Sequence, residues 1–218
     1  ADKLMPRFSF KINIAALGIA LLISVTLLMS SQVESQIDKS NATFNEAIQA
    51  VKDKDFRHAA KLFLIQAENN QHDAQYNLAI LLEAGKGVPQ DFTKALIWAW
   101  SAQLGGIEAA EELAEDLTGY LPEKSIEEVR EAVRARLEAR IRAGSADAVS
   151  QFASFHLQML DEPDYETAYI WFSISTALGL KGTLEARDDA RDNVEDERLV
   201  DLQSEAGTIY ESLNISLD

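Results

Sequence analysis

The stretch Gly85–Gly106, GKGVPQDFTKALIWAWSAQLGG, opens on a glycine loop, carries Trp98 and Trp100, and closes on a glycine pair. A glycine loop ahead of a helix is either a cradle for phosphate groups or a turn in an architectural repeat. A phosphate loop needs G-x-x-x-x-G-K-[ST], and GKGVPQDFTK lacks the second glycine at that spacing and the closing Lys-Ser/Thr. A dinucleotide loop needs a preceding strand, whereas YNLAILLEA at 76–84 has the helical spacing Leu78, Leu81, Leu82. Nucleotide binding is therefore set aside. Gly85 falls where a left-handed helix cap favours glycine, Gly87 permits a second tight turn, and Pro89 fixes φ just before a helix beginning at Asp91.

Working outward, the segment repeats. DFRHAAKLFLIQAENNQHDA from Asp55, DFTKALIWAWSAQLGGIEA from Asp91 and DYETAYIWFSISTALGLKGTLEA from Asp164 each open with Asp and an aromatic residue and place Ala fifth. Asp55 and Asp91 are 36 residues apart, and Asp91 and Asp164 are 73, about twice that. A degenerate copy is expected near residue 127, where SIEEVREAVRARLEARIRAGSADA ends in a comparable turn. A helical period of this length signals stacked helix pairs. Helices are predicted near 43–53, 55–69, 73–84, 91–104, 107–117, 125–143, 146–160, 164–178, 183–192 and 195–213.

Composition narrows the chemistry. The 218 residues hold 36 Asp+Glu against 20 Lys+Arg, a formal net charge of -16. An acidic surface of that size repels nucleic acid, so none is expected as a partner. There is no cysteine, which removes disulfides, thiolate nucleophiles and cysteine metal sites.

Near the N-terminus, INIAALGIALLISVTLLM at 12–29 is uncharged over 18 residues. As a helix it would reach ~27 Å at ~1.5 Å per residue, close to the hydrocarbon thickness of a bilayer. Lys3, Arg7 and Lys11 precede it and Glu34, Asp38 and Lys39 follow, which predicts a cytoplasmic N-terminus. A cleaved signal peptide is the rival, but no A-x-A site follows the run. The expected architecture is thus all-α: residues 1–11 in the cytoplasm, a transmembrane helix at 12–29, a connector at 30–42 and an α-solenoid at 43–218, placed outside the cytoplasm at the inner membrane. Ala16, Ala20 and Ser24 form a small-residue row suited to close helix–helix packing against a membrane partner, within the lipid bilayer.

DAQYNLAILLEAGKGVPQDFTKALIWAWSAQLGGIEA, 73–109, resembles a Sel-1-like repeat, a relative of the tetratricopeptide repeat; the matching residues include Tyr76, Leu78, Gly85, Gly87, Asp91, Ala95 and Trp98. Residues 146–186 resemble it more loosely, because DEPDYET replaces the glycine loop while Ala168, Trp171, Ala177 and Gly179 are kept. The resemblance implies a TPR-like helical solenoid that mediates protein–protein interaction, without cofactor or metal.

Candidate functional residues follow. Trp98, Trp171 and Leu62 fall seven residues after their opening Asp and are expected to fill the gap between helix pairs. Trp100 lies some 200° around the helix from Trp98, so it is the candidate for partner contact, with Tyr76 and Tyr169. His72 is expected to be structural, His58 to lie on a polar face and His156 in the core. No two histidines have the i, i+4 spacing of a metal pair. Carboxylate pairs such as Glu111-Glu112 read as solvated faces, and no Gly-x-Ser-x-Gly elbow occurs, so an enzyme is not expected. The expected role is an adaptor or accessory subunit of an inner-membrane complex. The alternative is a peptidoglycan- or polysaccharide-binding module with Trp100, Tyr120, Tyr165 and Tyr169 as platforms, although the acidity offers no attraction to acidic glycans.

Overall fold

The computed structural model describes residues 39–215. Among these are ten α-helices, a 3-10 turn and no strand. Helix α1 covers 39–52; it is followed by α2 (Phe56–Glu68), α3 (His72–Ala84), α4 (Phe92–Leu104), α5 (Ala109–Tyr120) and α6 (Glu123–Arg142). Then come α7 (Ala146–Gln158), α8 (Tyr165–Ala177), α9 (Thr183–Arg191), the turn Asp196–Arg198 and α10 (Leu199–Ser212).

The repeated Asp-aromatic pair has a local cause. Asp55, Asp91 and Asp164 are the N-cap residues of α2, α4 and α8, and their carboxylates accept from the backbone N–H of His58, Lys94 and Thr167 at 3.2, 2.9 and 3.0 Å. Each cap satisfies one of the orphan donors of a helix start, worth about 1 kcal/mol. The fifth-position alanines Ala59, Ala95 and Ala168 are fully buried, and their small side chains let neighbouring helices approach closely. Gly85 takes the left-handed cap of α3, with φ 63°. At Gly87 the constraint is harder: an added Cβ would stand 2.1 Å from the carbonyl oxygen of Phe56, so the loop can lie on the start of α2 only with glycine there.

Consecutive helices pack on one another, α2 on α3, α3 on α4, α4 on α5, α6 on α7, α7 on α8 and α8 on α9, with α10 returning onto α8. The twenty-residue α6 packs on α4 as well as α7. Helix α4 is thereby met by α3, α5, α6 and α7 and buries residues on most of its circumference, Leu96, Trp98, Ala99 and Trp100 among them, leaving Lys94, Ile97 and Ser101 on its less covered side.

A polar seam joins the first repeat to α6 and α7. His72 Nδ1 donates to Gln75 Oε1 at 2.9 Å, and Gln75 Nε2 donates to the Ala67 carbonyl at 3.2 Å. Gln151 Nε2 donates to His72 Nε2 at 3.3 Å, while Arg140 donates to Gln151 Oε1, Asp147 and Ser145. The buried amides of Gln75 and Gln151 are thus both supplied with partners, as buried polar groups must be. His72 is structural, fixed by this assignment as the Nδ1–H tautomer.

Several expectations are corrected. Among the described residues the architecture is an all-α helical repeat, and the membrane-spanning helix, the inner-membrane location and the bilayer as a partner are dropped. The reason is that no helix among the described residues is long and apolar enough to cross a membrane. The run 12–29, with Ala16, Ala20 and Ser24, lies outside the described residues. Residues 39–42, assigned to a connector, are already helical.

Candidate partner-binding groove

The first repeat carries an open groove of about 770 Å³. One wall is α2, whose Arg57, Lys61, Leu64 and Glu68 recur every three or four residues and so share a face. Ala132 and Arg136 of α6 form the other wall. Leu78 and Leu82 of α3 and Ile97 and Trp98 of α4 make an apolar floor, and the loop 87–91 closes one end. The volume lies within the range of about 300–1,000 Å³ that accommodates a bound small molecule or a few side chains.

Arg136 stacks over Trp98, its guanidinium carbon 4.5 Å from the ring centroid, an attractive cation–π arrangement. Burial pulls its pKa below the usual value, partly offset by Glu68 and worsened by Arg140, yet an arginine remains a cation. At the loop end Asp91 is occupied twice, capping α4 and pairing with Lys94 at 3.0 Å. Burial raises the Asp91 pKa, but the Lys94 backbone N–H, side-chain hydrogen bond and charge outweigh it and hold the carboxyl below its ordinary value.

The aromatic candidates are placed differently from expectation. Trp98 and Trp100 are both 7 % exposed, because neighbouring helices cover both sides of α4 on which they lie. It is Trp98 that lines the groove, while Trp100 borders a smaller cleft with Gln103, Glu115 and Met159. Tyr76 is half-buried and outside the groove lining. Tyr169 is buried and accepts from Gln203 Nε2 at 3.2 Å, which ties α8 to α10. Trp171 is half-buried and meets Phe152 edge-on at 4.9 Å. Tyr120 is exposed but stacked on Phe92, and Tyr165 is half-buried. These rings do not converge on one exposed platform. Sequence reasoning missed Arg136 and Leu64: the periodic stripe of α2 is visible in the sequence, but the approach of α6 to Trp98 is a tertiary contact.

The histidines serve the fold in the described residues. His58 pairs with Glu46 at the surface at 2.9 Å. His156 is half-buried, its ring nitrogens shielded from solvent; Nδ1 lies 3.3 Å from Asp164 Oδ2, inside ion-pair distance but without hydrogen-bond geometry, and neither ring nitrogen has a hydrogen-bond partner. Burial lowers its pKa more than Asp164 raises it. Among the described residues no group of three or more His, Asp or Glu side chains is placed to hold a metal ion.

Paired helices, a glycine loop and an apolar groove define a helical-repeat protein. The Sel1 repeat family model matches residues 72–99 and 154–180, that is α3 with most of α4, and the end of α7 with α8. Among solved structures, a protective antigen present in uropathogenic Escherichia coli strains and displaying an SLR fold is similar at 18% identity. That likeness covers 82% of this chain and 34% of the other, with a TM-score of 0.36, too loose a superposition to bear on function. This chain spans about a third of that protein's length. No protein of curated description matches the chain.

Proposed function

We propose that residues 43–218 form a non-catalytic interaction domain that holds a segment of a partner protein in the groove between α2, α4 and α6, as an adaptor or accessory subunit of a protein complex. The observation that supports this reading is the open groove with an apolar floor beside residues 72–99, the first segment that matches the Sel1 repeat model. Helical repeats bury their partners along such surfaces, where an extended or helical peptide can insert apolar side chains. Leu64, 43 % exposed on the groove wall, has the exposure of an anchor site awaiting a partner.

A paired substitution tests the assignment. Leu64→Asp places a charge at the groove, and Leu184→Asp places one at an exposed leucine of α9. Both sites are exposed, so neither variant should lose its thermal transition. Affinity capture of partners from cells is expected to fail with Leu64→Asp and succeed with Leu184→Asp. The opposite pattern would move the binding surface to the C-terminal helices.

A further inference from the structure

The groove has the wrong charge for its protein. In a chain of net charge -16, its lining carries Arg57, Lys61, Lys94 and Arg136 against Glu68 and Asp91. Asp91 and Lys94 neutralise each other. Among the described residues, Arg57, Lys61 and Arg136 have no carboxylate within ion-pair distance, although most other arginines do: Arg130, Arg134, Arg140, Arg191 and Arg198 each pair with Asp or Glu. Acids are abundant on this surface and could have covered these three cations. They do not, and the cations stand around an apolar floor.

Resting on the groove as the partner site, we infer that its occupant is a peptide segment in which apolar side chains are flanked by carboxylates, the apolar groups on Leu78, Ile97 and Trp98 and the carboxylates on Arg57, Lys61 and Arg136. Two features narrow the chemistry. The apolar floor demands apolar side chains, which a nucleic acid backbone or a bare anion lacks. The acidic remainder of the protein repels extended polyanions and restricts the attraction to a short segment that reaches only the groove. Arg136 suits a carboxylate particularly well: its planar guanidinium is held against Trp98, so a two-pronged contact would cost little further ordering. Rim charges of this kind also select partners by repelling basic segments.

The test is selection of a random peptide display library on the full chain at physiological salt. Enriched peptides are expected to combine Leu, Ile or Phe with Asp or Glu, and affinity should fall as salt rises. Replacing the acids of an enriched peptide by their amides should weaken it at least about tenfold, the scale of a charge-assisted contact that is partly buried. Arg57→Gln and Lys61→Gln, with unchanged melting curves, should each cost about two- to fivefold, as exposed ion pairs do, and Arg136→Gln about tenfold with a cooperative melting transition kept. Arg136→Lys should recover the charge but not the full affinity, since an ammonium cannot make the planar two-point contact. Enriched peptides without acids that Leu64→Asp blocks would overturn the carboxylate assignment and leave the groove standing. Enrichment indifferent to Leu64→Asp, or no enrichment at all, would overturn both.

Discussion

The two segments that match the Sel1 repeat model solve the same turn in different ways. Between α3 and α4 the chain turns on glycine, and Gly87 lies so close to Phe56 that no side chain fits. Between α7 and α8 there is no glycine. Arg130 of α6 holds that loop instead, donating through Nε to the Met159 carbonyl at 2.8 Å and through Nη2 to Asp161, while Glu127 steadies the same guanidinium. Hence a long-range arginine replaces a local glycine. The tryptophans differ in parallel: Trp98 floors an open groove, whereas Trp171 is half-buried against Phe152. One repeat keeps a surface to offer, and the other is held from within by α6. Divergence of a repeat therefore need not mean loss of its fold, because the turn can be supported from elsewhere.

The strongest way to break this comparison is to truncate the rings. Trp98→Ala and Trp100→Ala should each cost about 3–5 kcal/mol, the usual price of an emptied aromatic site in a core. Trp171→Ala, half-buried, should cost clearly less in urea unfolding. Equal losses would mean that the second repeat is packed as tightly as the first around its tryptophan.

The two turns come next. Gly87→Ala should lose about 3 kcal/mol, since it adds a clash with fixed backbone to a left-handed conformation costly for alanine. Arg130→Ala, which strips the α7–α8 loop of its donor, should lose about 2 kcal/mol, and the loss should appear as faster amide exchange in α7 and α8. If Arg130→Ala leaves that exchange unchanged, the loop is supported by something other than this side chain.

The smallest effect separates the repeats by pH. Desolvation of the half-buried His156 ring depresses its pKa, so its contribution is present above the ordinary value of about 6.5 and is lost as pH falls through the lower folded value. Charged groups acting on it are Asp164, Arg134 and Glu138. The α4 cap Asp91 and the α8 cap Asp164 are also depressed; their contribution is present above about pH 4 and lost only as pH falls further. Lowering pH from 7 to 5 should therefore loosen α7 and α8 before α3 and α4, and His156→Leu should flatten that response. Equal loosening of both repeats in amide exchange would remove His156 as its source.

Much of the fold is legible in the sequence because its signals are local. Asp55, Asp91 and Asp164 mark helix starts by capping chemistry, and Ala59, Ala95 and Ala168 mark close helix contacts at fixed spacing. Helix α6 was expected at 125–143 from the period alone and is observed at Glu123–Arg142. The candidate site was far less legible. Periodicity places Trp98 and Trp100 on different faces, but α4 is enclosed by four helices, so both faces are buried and the sequence cannot rank them. The Arg136–Trp98 stack and the His72–Gln151 bond join residues far apart in the chain, and only the folded arrangement brings them together.

The central claim is that the first repeat's groove is where a partner binds. Site-specific photo-crosslinking tests it most directly, with a photoreactive phenylalanine analogue at Leu64 in the groove wall and, separately, at Val200 on α10, which is exposed and remote in sequence. The account predicts a discrete adduct with a partner protein from position 64, weakened when Arg136→Gln is added, and none from position 200. Adducts of equal yield from both positions, or from position 200 alone, would contradict it.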